Sequence, residues 1–164
     1  MIFLNPSDRI IAVPDSETDI CFMKMALEEA VLAFNEGEVP VGAVLVKNGK
    51  VSVRTHNCRE SSHDPTGHAE ILAMRSSAGG KSRWRLTDAT LYVTKEPCVM
   101  CAGAMVNARL GRLVYGCRDE KGGAVDSLYN LLSDKRLNHQ VEVISGVLEK
   151  ECAEILKKFF RERR

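Results

Sequence analysis

Apolar residues recur with two different periods along this chain, and the switches between them outline its elements. From residue 19 to 35 the positions Phe22, Met25, Ala26, Ala30 and Ala33 keep a spacing near 3.6, which predicts an amphipathic helix closed by Glu36-Gly37. Residues 41–46 and 51–54 read as strands. Between them Asn48-Gly49 is a dipeptide favoured by two-residue hairpins. Helices are predicted over about residues 68–77, ended by Gly79-Gly80, then over 98–109 and 149–163, with strands over 90–93, 112–115 and 142–144. The stretch 119–138 is mixed, with one short helix expected near 128–132. Strands alternating with helices in the second half point to an α/β layered fold, its mixed sheet covered by helices on both faces. The first 18 residues carry Pro6, Pro14 and several charges, and are expected to form an irregular arm ahead of a single domain over 19–164.

Composition narrows the class without changing that outline. At 164 residues, 45% hydrophobic and 27% charged, the chain matches a one-domain globular protein and neither a disordered nor a low-complexity one. No apolar run approaches the roughly 20 residues that cross a bilayer. The opening MIFLNPSDRIIAVP lacks the basic start and apolar block of a secretory signal, so a soluble, cytoplasmic protein is expected. The net charge of +1 announces no polyanionic partner. Its distribution is more telling. Residues 150–164 hold six basic side chains against three acidic ones, a surplus three times that of the whole chain. That surplus suits either a solvated helix end that complements its own dipole or a contact with nucleic acid.

The candidate chemistry lies in the cysteines and one histidine. Six cysteines stand at 21, 58, 98, 101, 117 and 152, and without an export signal a metal site is a better expectation than a disulfide framework. Only Cys98 and Cys101 are closely spaced. Three apart at a helix start, they share one side of the helix, where its positive end favours thiolates. His68, at another helix start, supplies a third ligand. Three nitrogen and sulfur ligands leave a tetrahedral position open for water, as a catalytic zinc requires. Zinc lowers the pKa of bound water to about 7, and Glu70, two residues after His68, is placed for general acid–base work on it. Taken singly, His68 is equally a helix cap, and Cys98 with Cys101 a redox pair or half of a structural site. Taken together, H-x-E followed some 30 residues later by P-C-x-x-C matches the signature of zinc-dependent deaminases.

With these motifs the chain resembles the bacterial tRNA-specific adenosine deaminases of the cytidine deaminase superfamily. The resemblance runs through GEVPVGAVLV (37–46), HNCRE (56–60), DPTGHAEILAMR (64–75), WRL (84–86), TLYVTKEPCVMCAGAM (90–105), VYGCRDEKGGAVDSLYNLL (114–132), NH (138–139), GVLEKEC (146–152) and FFRERR (159–164). It implies a three-layer α/β/α cytidine deaminase-like fold with a mixed central sheet of about five strands. It implies one Zn2+ per subunit on His68, Cys98 and Cys101, with Glu70 as proton shuttle. Asn57 and Ala69 then bind the flipped nucleoside, Asp119 lies beside anticodon nucleotides, and Phe160, Arg163 and Arg164 touch RNA. The implied reaction is hydrolytic deamination of adenosine to inosine at the wobble position of a tRNA anticodon loop, by a homodimer. A free-base or nucleoside deaminase for guanine, cytosine or cytidine shares the zinc motif and is the alternative enzyme. A catalytically silent RNA-binding subunit is the alternative outside catalysis. The chain departs from the family at Lys95, where an apolar residue is usual. Its ammonium is expected either to meet phosphate or to extend into solvent.

Overall fold

A computed structural model describes residues 17–78 and 83–163. The expected arm therefore lies outside the described residues save for Glu17 and Thr18, which belong to the first helix; Gly79-Gly80 and Arg164 lie outside them as well. In chain order the elements are α1 (Glu17–Asn35), β1 (Gly42–Lys47), β2 (Lys50–His56), α2 (Ala69–Ala78), β3 (Ala89–Lys95), α3 (Val99–Asn107), β4 (Arg112–Cys117), a 3-10 turn (Leu131–Ser133), β5 (Glu142–Ser145) and α4 (Glu149–Arg161).

The five strands form one sheet in the order β2-β1-β3-β4-β5. β1 runs antiparallel to both β2 and β3, whereas β3, β4 and β5 are parallel, so the sheet is mixed. Alternation along β1 decides the layers. Ala43 and Leu45 face a core built with Ala69, Ala73 and Met74 of α2 and Cys101, Ala102 and Met105 of α3. Val44 and Val46 face the other core, with Met23 and Ala26 of α1 and Cys152 of α4. The result is three layers, with α2 and α3 on one face and α1 and α4 on the other.

Two expectations shift. The buried stripe of α1 runs through Asp19, Met23, Ala26, Glu29, Ala30 and Ala33, not through Phe22 and Met25, which are only partly covered. The two acids are buried because each meets cations or hydroxyls from the sheet: Asp19 accepts from Tyr92 Oη (2.8 Å) and both terminal nitrogens of Arg112 (2.9 Å each), and Glu29 accepts from Arg54 Nε (2.9 Å). The short helix expected near 128–132 is a single 3-10 turn at Leu131–Ser133. Leu128 and Tyr129 turn outward, because the backbone just before them is bonded to a buried side chain, Glu96, instead of to itself.

Among the described residues no helix is long and apolar enough to cross a membrane. α1 lies hard against β1 at Gly42, where an added Cβ would collide with Ala26 O and stand 2.5 Å from Ala30 N. Gly42→Ala should therefore push α1 off the sheet and cost about 1–3 kcal/mol, the usual range for overpacking. Urea unfolding of the variant beside the wild type measures it.

Candidate active site

The carboxyl ends of β3 and β4 and the starts of α2 and α3 meet at one end of the sheet, where open α/β folds place their ligand crevices. Cys98 is the residue that caps α3, with extended backbone (φ −76°, ψ 175°), and Cys101 sits one turn inside. His68 immediately precedes α2. Its Nδ1 lies 3.6 Å from Cys98 Sγ and 3.5 Å from Cys101 Sγ, and the three atoms fall within 4.8 Å of one another. Metal bonds of about 2.3 Å to sulfur and 2.0–2.1 Å to nitrogen put neighbouring ligands of a tetrahedron about 3.5 Å apart, so this trio fits one divalent ion.

Protonation in the cluster is uneven. A hydrogen bond from Cys101, with His68 beside it, holds the Cys98 thiol far below its usual value, at about 3. Sharing that proton and being buried drive Cys101 upward. The Cys98 sulfur in turn raises His68. Burial raises the carboxyl of Glu70, whose Oε2 is buried and has no hydrogen-bond partner among the described residues. A buried carboxylate oxygen without a protein partner beside three ligand atoms is costly unless a proton, water or substrate meets it there.

All of these groups but the fully buried Cys101 line a cavity of about 320 Å³, within the range of small-ligand pockets. His68, Glu70, Cys98, Asn57 and Phe160 all contribute to its wall. Asn57 is nearly buried and its Oδ1 accepts the N–H of Ala69 (2.9 Å), which fixes the amide at the cavity edge and ties the loop after β2 to the start of α2. Ala69 itself is fully buried, and its carbonyl accepts from Thr55 Oγ1 (2.8 Å). Asp119, in the turn after β4, pairs with Lys95 Nζ at 2.7 Å. Phe160 reaches the cavity from α4, whose end packs on the end of α1 through Phe159 and Phe34, ring centroids 5.7 Å apart. Arg163 does not line the cavity: its guanidinium stacks 3.7 Å over Phe159. Arg164 lies outside the described residues. Lys95 turns toward the cavity, not away from it.

Among the wall residues that reading the sequence misses are Glu38, Arg59 and Glu96. Glu38 is 2% exposed and accepts the N–H groups of Ser61 (2.7 Å) and Glu60 (3.2 Å), pinning the loop that carries Asn57. Glu96, equally buried, accepts from the backbone of Asp119, Val125, Asp126 and Ser127 at 2.8–3.2 Å and from the Ser127 hydroxyl. A Cβ on Gly123 would collide with the Glu96 carboxyl group, so the loop closes on the acid only because glycine stands there. The one sequence signal for Glu96 is an acid placed directly before Pro97-Cys98 at the end of an apolar strand.

With this geometry in place, the chain matches the family described as MafB19-like deaminase over residues 17–164. A tRNA-specific adenosine deaminase of Bacillus subtilis (strain 168) is 51% identical over 146 residues, 89% of this chain and 91% of that protein. A solved structure from a study of A-to-I editing by tRNA:A34 deaminases at the wobble position of transfer RNA is 46% identical, with a TM-score of 0.78, over 83% of this chain and 99% of its own. Guanine deaminase from Bacillus subtilis is more distant: 37% identical, TM-score 0.57, over 60% of this chain and 63% of its own. The fold and site are those of a deaminase. The chain belongs to the MafB19-like deaminases and, among them, to the tRNA-specific adenosine deaminases.

For Glu96, burial alone raises the carboxyl, but Ser127 and the backbone N–H groups outweigh it and hold the group below the usual value. Its contribution is then fully present above the ordinary glutamate pKa of about 4.3 and is lost as pH falls through the lower folded value. Glu96→Gln should cost about 2–3 kcal/mol at neutral pH, and the gap to wild type should narrow below about pH 4. Urea midpoints between pH 7 and pH 3 report this. A gap that stays constant would mean that the charge is not what holds the loop.

Proposed function

We propose that the protein converts adenosine to inosine at the wobble position of a tRNA anticodon loop, by hydrolysis, with release of ammonia. The observation that carries this reading is the buried, unpartnered Oε2 of Glu70 in the same cavity wall as His68 and Cys98. A structural metal site has no use for such a carboxylate. The substrate is supported by relatives named for tRNA and by a neighbour studied on the wobble position.

His68, Cys98 and Cys101 would hold one Zn2+ per subunit. When bound, zinc acts as a Lewis acid that lowers the pKa of water to about 7. Glu70 does the proton work. Burial raises its carboxyl, so it accepts a proton from water, delivers one to adenine N1 and then carries one to the departing amino group. Adenosine and water thus become inosine and ammonia, and Glu70 is regenerated. Asn57 is the hydrogen-bonding group for the nucleoside, its side chain held in place by the N–H of Ala69. An anticodon loop suits this cavity because its unpaired nucleotide can be splayed out, whereas a base stacked in a duplex cannot present C6. Phe160 offers a face for stacking. Asp119 and Arg163 are the further groups through which RNA is contacted, and Arg164, outside the described residues, keeps that role only as the family resemblance implies it.

We further infer that residues 19–164 act as one deaminase domain, in the cytoplasm, as a homodimer. A shallow, mostly apolar groove along α2 and α3, lined by Ile71, Met74, Leu86, Ala104, Ala108 and the half-exposed Trp84, is a surface that a second copy can cover.

Purified protein, given an anticodon stem-loop and free nucleosides in separate reactions, should form inosine in the RNA alone. Ammonia released only from free nucleosides would transfer the assignment to the alternative enzyme. Glu70→Ala should lower turnover at least 10²-fold, a common loss for a missing acid–base group, while metal analysis still finds about one zinc per chain. Chelation should abolish turnover of the wild type, and added zinc should restore it. Full turnover in Glu70→Ala would remove Glu70 from the mechanism.

A further inference from the structure

Lys95 is the last residue of β3, and only Glu96 and Pro97 separate it from the candidate ligand Cys98. Its ammonium lies 2.7 Å from Asp119 Oδ2, and its side chain lines the same cavity as His68, Glu70 and Cys98. Asp119 has little freedom to leave: its N–H is bonded to Glu96 Oε2 (2.9 Å), its Oδ1 accepts from Lys121 N (3.2 Å), and its carbonyl accepts from Gly123 N (2.8 Å).

The charges at this end of the sheet make that pair consequential. Among the described residues the cavity wall holds four glutamates, Glu38, Glu60, Glu70 and Glu96, and two side chains of permanent positive charge, Arg59 and Lys95. Arg59 is engaged with Glu60 at 3.0 Å. Asp119, which does not itself line the cavity, adds a carboxylate against Lys95. An RNA loop approaching such a wall meets repulsion unless a cation offsets it. An ammonium has three N–H donors, and this one spends one of them on Asp119. Its side chain remains 30% exposed, so the others are open to an incoming anion.

We propose that Lys95 is a positioning residue for RNA, cancelling the charge of Asp119 and sharing its ammonium with a phosphate oxygen of the nucleotide beside the extruded adenosine. This rests on the RNA-deaminating reading above. It makes Lys95 and Asp119 a coupled pair: with the lysine gone, the aspartate becomes a repulsive group.

The experiment compares wild type, Lys95→Met, Lys95→Arg, Asp119→Asn and the double variant Lys95→Met/Asp119→Asn on one anticodon stem-loop at several salt concentrations. Lys95→Met should raise KM about tenfold, the loss of roughly one charged contact, with the change in KM and not in kcat. Its log–log dependence of affinity on salt should be shallower by about 0.7, the value for one phosphate on a single strand. Lys95→Arg should restore most of the affinity, and the double variant should bind better than Lys95→Met alone. Unchanged KM and salt dependence in Lys95→Met, or a double variant in which the two losses simply add, would overturn the proposal. Equilibrium binding of the same RNA is measured in parallel. If the wild type leaves adenosine intact, the reading of the reaction fails, while the binding series still decides the role of Lys95.

Discussion

The first turns of α2 and α3 converge over the carboxyl ends of the central strands, and the rest of the site depends on that meeting. Each helix start is the positive end of a dipole. One presents His68 and Glu70, the other Cys98 and Cys101, and the sulfurs come within 3.6 Å of the imidazole. The placement follows from strand direction. β3 and β4 run parallel, with Lys95 paired to Cys117, so the chain leaves both strands at the same end. β1 runs the opposite way, and the loop after its hairpin partner β2 returns to that end carrying Asn57 and His68. A parallel β1 would send that loop to the far end of the sheet.

Three buried glutamates around this point show how one residue type serves opposite ends. Glu38 and Glu96 are surrounded by backbone N–H donors, which outweigh burial and keep them ionised as fixed anchors for two loops. Glu70 is buried without enough donors, and its carboxyl is pushed up toward the protonated form. The first two are rigid and charged. The third can exchange a proton. The difference lies in the donors and charges that face each carboxylate and in how deeply each is buried. Under the proposed mechanism both kinds are needed, because a proton carrier works only where the surrounding loops are held in register.

Over 60% of this chain the fold is similar to that of guanine deaminase from Bacillus subtilis, and fold alone does not define a substrate. What the scaffold carries at this end is the loop after β2, the turn after β4 and the tip of α4. Lys95 and Asp119 bridge the end of β3 to the turn after β4, and Phe160 brings in α4. Phe159 and Phe34 tie α4 to α1, which makes the final helix part of the cavity wall instead of a solvated appendage.

Strong local patterns in the sequence already determine the order of elements and the mixed α/β class, and the paired H-x-E and P-C-x-x-C motifs single out His68, Glu70, Cys98 and Cys101 as candidates. Hydrophobic period, hairpin dipeptides and the C-x-x-C spacing act over a few residues, so they are legible without a fold. The resemblance added Asn57, Ala69, Asp119 and Phe160, which carry no local signature of their own. What neither supplied depends on contacts distant in the chain. Asp19 and Glu29 are buried in α1, against its apolar pattern, because Arg112 and Arg54 arrive from the sheet. The 128–132 stretch is not a helix because Glu96, some 30 residues earlier, takes up the backbone donors just before it. Lys95 turns inward because Asp119 waits there. A buried charge is settled by whichever partner the folded chain brings to it, and that partner is fixed only when the sheet is assembled.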